Sequence, residues 1–409
     1  MQYKVYSKMV FAFLFILSQI TLAQEPPVPP VPSPAEKPNV PKALNQTELD
    51  VRLSELNTKL SDLSARINNE VNVRLDAALK DLGDLEDFKS LSFPNRQQPE
   101  NFAMSGNLVE KVKRISKSYP VDGKDKLSIA NQFGKVVINV WAKNEIKVDV
   151  EIRAFEGSDD KAQALLDGVR IEESKKGDLI HFKTHIDKQS NGGIQRGNGR
   201  DDRGVLVDYI VYMPSRNSLA VNNKFGSISL PDFDGQVSIK NSYGSLSAAD
   251  LNHSSNVIEV SYGSASIGKF TTGSIKVSYG SLSISSANQV NADVRYGSTK
   301  IGRVINGGNL ENRYGSLKID ELDDNVKNLI ISADKGSVQI GISPSANFDF
   351  DVTVHMGGFQ YPRSRVNITS KTPEDGNGIQ FTRNYKGNFG KDSNSRVQIS
   401  SNYGSVKFQ

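Results

Sequence analysis

Along the chain's last three hundred residues apolar and polar positions alternate, and the phase of the alternation flips at a short recurring phrase. The phrase reads Phe225-Gly226-Ser227, Tyr243-Gly244-Ser245, Tyr262-Gly263-Ser264, Tyr279-Gly280-Ser281, Tyr296-Gly297-Ser298 and Tyr314-Gly315-Ser316, at steps of 18, 19, 17, 17 and 18 residues. Lys335-Gly336-Ser337 is a degenerate copy, Tyr403-Gly404-Ser405 closes the chain, and Asn131-Gln132-Phe133-Gly134 is an upstream relative. Two and four residues before each aromatic the positions are mostly apolar, as in Val260 and Ile258 or Val277 and Ile275. Three and five residues after it they are apolar again, as in Leu282 and Ile284 or Leu317 and Ile319. Strand side chains alternate between faces, so each copy holds two strands that share one core, with the parity reset between them. Glycine adopts backbone angles closed to other residues, which predicts a bend or bulge at Gly-Ser and an inward-pointing aromatic. A period this short makes each copy one rung of a stack. The expected fold is all-β, a parallel β-solenoid or β-helix with rungs of 17–19 residues.

Stacked rungs place equivalent residues above one another at about 4.8 Å, which predicts a ladder of tyrosines. The outward column three residues before the aromatic reads Lys240, Glu259, Lys276, Asp293, Glu311, alternating in sign until the last step. Opposite charges side by side suit parallel, in-register stacking. Two further outward columns begin with serines (Ser242, Ser261, Ser278 and Ser247, Ser266, Ser283) and end in Arg295, Arg313 and Lys300, Lys318. Polar columns keep a sheet face from aggregating. The basic end is also the one place where the repeat could bind an acidic polymer or glycan.

The flanks read as strands too. Residues 108–215 alternate strongly, at Lys126 to Ala130, Val136 to Val140 and Ile146 to Ile152, with a helix expected from Asp159 to Val169 and a loop from Gln189 to Arg203. They form the first part of the β-body, residues 216–342 the repeat, and residues 343–409 the C-terminal strands and cap.

Ahead of the body, Lys4 and Lys8 precede the apolar run Met9 to Leu17, and Thr21-Leu22-Ala23 offers a cleavage site. This predicts a signal peptide over residues 1–23, because the run is too short to span a bilayer. Residues 24–43 form a Pro-rich linker, with eight prolines between Glu25 and Pro41 favouring extended polyproline II. Residues 44–90 form a long amphipathic helix with a seam at Leu49, Leu53, Leu56, Leu60, Leu63 and Ile67 that relaxes through Val71, Leu75, Ala78 and Leu82. Residues 49–82 could join copies of the chain or lie on its own body, and residues 91–107 are a second linker.

Composition narrows the chemistry. There are 33 glycines and no cysteine, so disulfides, thiolate metal sites, a cysteine nucleophile and lipid attachment at a terminal cysteine are excluded. A net charge of +4 over 409 residues is too dilute for a nucleic-acid binder. The four histidines, His181, His185, His253 and His355, show no metal-ligand spacing. The pairs Asp159-Asp160, Asp201-Asp202 and Asp323-Asp324 lack the spacing of calcium loops and read as solvated turns. No metal, cofactor or catalytic residue is expected, and no membrane-spanning segment in the mature chain.

With its export signal, its Asn-x-Phe-Gly opening at Asn131 to Gly134 and its Tyr-Gly-Ser rungs, the stretch 108–409 resembles the adhesin-type β-solenoid family of bacterial envelope proteins. The resemblance implies a stacked β fold, no established catalytic residues and a periplasmic, outer-membrane-associated or extracellular address. The expected function is a non-enzymatic, adhesin-like or structural one, with an envelope polymer, a glycan or a cell surface as partner. The alternative is a polysaccharide-binding or polysaccharide-processing enzyme, since such enzymes use the same architecture.

Overall fold

The computed structural model describes residues 108–187, 195–196, 202–373, 381–391 and 393–409. The expected signal peptide, Pro-rich linker, amphipathic helix and second linker lie outside the described residues. Those described are nearly all β, with one helix and a sheet that does not close.

Each repeat contributes to two parallel ladders. In the first, the strand before the aromatic pairs with its equivalent one repeat on: Ser218–Lys224 with Val237–Ser242, then Asn256–Ser261, Gly273–Ser278 and the later halves of Leu282–Arg295 and Thr299–Arg313. In the second, the strand after the glycine does the same, from Ile228–Leu230 through Leu246–Ala248 and Ala265–Phe270 to Leu317–Leu322 and Val338–Ile342. Between the ladders the apolar columns meet, among them Ile239, Ile258 and Ile275 against Leu246, Ala265 and Leu282, all buried. Phe233, Leu251 and Phe270 bridge in parallel on a third side and are fully buried. The charge column is in register as expected, Lys240 beside Glu259, Glu259 beside Lys276, Lys276 beside Asp293 and Asp293 beside Glu311.

The corner differs from expectation in two ways. The residue in the left-handed region is the aromatic, not the glycine: φ is 55–59° at Phe225, Tyr243, Tyr262, Tyr279, Tyr296 and Tyr314. That backbone angle interrupts the strand alternation at the ring itself. The ring leaves the inward column of its own strand and stands in solvent, 42–51% exposed. The glycine has another task. A Cβ on Gly280 would lie 1.9 Å from the carbonyl oxygen of Gly263, and one on Gly297 1.8 Å from that of Gly280. Glycine is required because the rungs touch backbone to backbone.

Buried polar side chains fasten the same corner. Asn241 donates from Nδ2 to the Ser245 carbonyl at 3.2 Å, Asn312 to the Gly315 carbonyl at 2.7 Å, and Asn223 to the Gly134 carbonyl at 3.1 Å. An amide at a core-facing position is tolerated where it satisfies a backbone group that would otherwise be buried unpaired.

The ends depart from simple order along the chain. Lys126–Gln132 lies between Leu179–Ile186 and Ser218–Lys224, and Val136–Val140 between Asp202–Met213 and Ile228–Leu230. The chain therefore leaves the stack after its first rung and later returns beside it. The excursion contains the helix Asp159–Asp167, two residues shorter than expected because the chain turns at Gly168 and enters a strand at Val169. Within the expected loop, Gln195 and Arg196 pair antiparallel with Arg203 and Asp202. At the other end Arg396–Asn402 is inserted between Asn328–Asp334 and Phe348–His355, and Val406–Phe408 between Val338–Ile342 and Phe359–Gln360. The last residues of the chain are thus an internal rung. The terminal layer is made instead by Phe348–His355 with the antiparallel strands Thr382–Phe389 and Val366–Thr372.

Of the acidic pairs, Asp323 is not the solvated side chain its sequence suggests. It is buried in the turn after Leu317–Leu322, accepting from the Asn325 N–H at 2.8 Å, from Asn325 Nδ2 at 2.7 Å and from Arg303 Nε at 2.6 Å. Burial pushes its carboxyl up, but these donors outweigh it and hold the pKa at about 2.

Two outcomes follow. Gly280→Ala should lower the stability of the chain by about 2–3 kcal/mol or more in urea denaturation, since neither backbone can yield alone, whereas Ser281→Ala should stay within about 0.5 kcal/mol. Because the folded pKa of Asp323 lies below the unfolded value, its stabilising contribution is complete above about pH 4 and is lost as the pH falls towards 2. Stability measured between pH 5 and pH 2 should therefore fall less steeply in Asp323→Asn, which starts lower at pH 7.

Candidate functional site

The most regular exposed feature is the aromatic corner. Phe133, Phe225, Tyr243, Tyr262, Tyr279, Tyr296 and Tyr314 stack in one unbroken column, with centroids 4.8 Å apart and planes within 10° from Phe225 onward, and 5.0 Å between Phe133 and Phe225. The degenerate copy continues the column with a cation: Lys335 has φ 54° and its ammonium lies 4.7 Å from the Tyr314 ring centroid. The phenol hydroxyl of Tyr314 beside it raises the pKa of this lysine. Tyr403 and Met356 occupy the next two corners, also at positive φ.

Because ring faces cover one another, solvent meets only their edges and hydroxyls. This column differs from a flat aromatic platform, on which an apolar sugar face could lie. It is a comb of hydroxyls at rung spacing, bordered by Ser242, Ser261 and Ser278 on one side and Ser245, Ser264 and Ser281 on the other.

The four basic residues expected to form one end of the outer surface do not form a single cluster. Arg295 lies beside Arg313 on the strands before the corner, and Lys300 beside Lys318 on the strands after it, so Tyr296 and Tyr314 stand between the pairs. Each cation has a carboxylate. Arg295 binds Asp293 at 2.8 Å, Arg313 binds Glu311, Lys318 binds Asp320 at 2.8 Å and Lys300 reaches the same carboxylate at 3.5 Å. The Lys318 ammonium, supported by Lys300, holds the Asp320 carboxyl below the usual range. Exposed pairs of this kind are weak and screened by salt, so they lower the local field more than they stabilise the fold.

The remaining candidates for chemistry are occupied or dispersed. His181 contacts the Ser128 hydroxyl at 3.1 Å, His185 the Glu172 carboxylate at 2.6 Å and His355 the Thr382 hydroxyl at 2.7 Å. Tyr209, buried beside Thr184 and Asn131, has its phenol pushed up to about 12 by burial and belongs to a core network. Among the described residues no three His, Asp or Glu side chains converge as metal ligands, and no helix is long and apolar enough to cross a membrane.

One feature of the outer face went unnoticed in the sequence. Gln289, Asn291, Asn309, Asn328, Lys327 and Ile330, with Asn306 and Gly308, line an open groove of about 290 Å³ that crosses the middle of the strands Leu282–Arg295 and Thr299–Arg313. The nearest signal is Asn306-Gly307-Gly308-Asn309, which breaks the apolar alternation within a rung.

No family model matches the chain, and no curated protein matches it. Several solved structures align with it at low identity and low TM-score, three of which are as follows. A proposed cell-adhesion protein of Clostridium sporogenes is 11% identical over 73% of this chain and 99% of its own, with a TM-score of 0.18. A proposed adhesin of Bacteroides fragilis is 12% identical over 73% and 97%, with a TM-score of 0.27. A proposed lipid-binding protein of Parabacteroides distasonis is 12% identical over 72% and 96%, with a TM-score of 0.25.

Proposed function

We propose that this chain is an exported, non-enzymatic, adhesin-like protein of the bacterial envelope, in which a parallel β-solenoid presents its outer face to an acidic polymer or glycan. The observation that carries this reading is the exposed aromatic column. Six successive rungs hold a phenylalanine or tyrosine at φ 55–59°, a region that costs a non-glycine residue about 1–3 kcal/mol, and do so with the ring in solvent. Stacking recovers about 0.5–1.5 kcal/mol per ring pair. Core packing gains nothing from these rings, so their value lies at the surface.

A polymer lying along the stack would meet hydroxyls at a repeat close to that of an extended chain. Arg295 and Arg313 stand one residue before Tyr296 and Tyr314 and are partly exposed, with donors left over after their ion pairs, so they form the end of the comb suited to an anionic group. The carboxylates near this end, Asp293, Glu311 and Asp320, are engaged by cations, which favours binding over hydrolysis. Export rests on the N-terminal sequence, and assembly through residues 49–82 is compatible with the same role.

Retention of the full chain on immobilised polygalacturonate at low salt is the direct test. The double variant Arg295→Ser/Arg313→Ser should bind about tenfold more weakly, a change of about 1.4 kcal/mol. Unchanged retention, or no retention of the unaltered chain, overturns the reading.

A further inference from the structure

We infer that the groove between Gln289 and Asn328 is a binding subsite for an acidic sugar. The choice of ligand class rests on the polymer-binding reading above; the site itself rests on its own geometry. In the stack, Gln289, Gly307 and Asn328 are register partners on three successive rungs, and Asn291, Asn309 and Ile330 are the partners two residues further on. The middle rung has no side chain at its first position, so two amides stand on either side of a gap. The gap cannot be filled: Gly308, which lines the groove, has φ 131°, and a Cβ there would lie 2.0 Å from the Val290 carbonyl oxygen. Gly307 before it, buried at φ 120°, would meet the Asn328 carbonyl at the same distance. The hollow is thus a fixed product of the backbone irregularity between Ala287 and Gln289.

Its lining has unused capacity. The Asn291 amide reaches the Gly273 carbonyl at 3.3 Å and keeps its oxygen free for a donor. The side-chain amides of Gln289, Asn309 and Asn328 have no hydrogen-bond partner among the described residues, and Lys327 has no ion pair among them. Planar amides present a donor and an acceptor side by side, which matches the vicinal hydroxyls of a sugar ring. Ile330, 37% exposed, offers the apolar patch that the C–H face of a sugar requires, and Lys327 the counter-charge for a carboxylate. A volume of about 290 Å³ is at the small end of ligand clefts and suits a short stretch of saccharide. An extended acidic peptide would also use Lys327, and its backbone groups pair with amides as well, so it is the competing occupant; the C–H face that Ile330 suits belongs to the sugar.

The probes are trigalacturonate, the neutral galactose trimer of the same linkage and hexaglutamate, titrated into the full chain by calorimetry with ligand-observed saturation-transfer NMR. Trigalacturonate should bind, and Asn309→Ala/Asn328→Ala and Lys327→Gln should each weaken it at least tenfold. Lys327→Arg should restore binding, and Lys327→Gln should leave the neutral trimer unchanged. No binding of trigalacturonate, equal binding by the double variant, or hexaglutamate binding lost in the same variants would overturn the proposal. Arg295→Ser/Arg313→Ser separates the two readings, because Arg295 lies four residues from Asn291, about 13 Å along a strand. Loss of polymer retention in that variant without any trimer binding sinks the groove and leaves the comb. Trimer binding together with polymer retention unchanged in that variant does the reverse.

Discussion

Rungs in this protein meet through bare backbone at one corner, and most of the remaining geometry depends on that contact. From Gly134, which faces the Val207 carbonyl, the column runs through Gly226, Gly244, Gly263, Gly280, Gly297, Gly315, Gly336 and Gly404 to Gly357, each of these with its missing side chain directed at the carbonyl of the glycine before it, 1.8–2.1 Å from where a Cβ would be. Contact this close fixes the height of every rung at the spacing of a β-ladder. It also brings the residue before each glycine to the same lateral position in every rung. Aromatic rings placed there must stack, and a left-handed backbone must turn them outward. Column, comb and core therefore share one cause.

Much of this was legible in the sequence, because period and parity are local properties. The 17–19-residue steps, the paired apolar columns and the alternation of Lys240, Glu259, Lys276 and Asp293 each map onto register pairs. Direction at the corner was not legible. Strand parity assigns the tyrosine to the inward set, and only the sign of φ reverses this; tyrosine seldom adopts that sign, so the glycine was the natural residue to carry the turn. Asp323 was missed for a similar reason. Its acidic neighbour Asp324 suggests solvation, while the donors that bury it arrive from Asn325 and from Arg303 on an adjacent rung.

The candidate binding face shows the same division. Sequence identified Arg295, Arg313, Lys300 and Lys318 from their columns but not their distribution on either side of the corner, nor the carboxylates that share them. Asp293 and Glu311 sit two residues before their arginines on the same strand, so an outward column that looked basic is flanked by an acidic one. A face neutralised in this way attracts little at long range. Any ligand held there would be held by directional groups, the phenol and serine hydroxyls at the corner and the groove amides that have no partner among the described residues. The groove was invisible because it arises where Gly307 and Gly308 carry no side chain, between amides that are distant in sequence.

The position of the C-terminal strand constrains how such a stack can form. In a stack stabilised by nearest neighbours, order spreads from rung to rung. Here that spread cannot pass along the chain from Lys335 to Met356, because the corner of Tyr403 lies between them and donates to the carbonyl of His355 while Lys335 donates to that of Asn402. Phe348–His355 therefore has no partner on the repeat side until the last residues arrive. Its apolar side chains Phe348 and Phe350 pack edge-on against Phe408, which belongs to the same late strand pair. The terminal layer and the end of the chain must order together, which makes the final rung the closing element of the stack although it is not its outermost one.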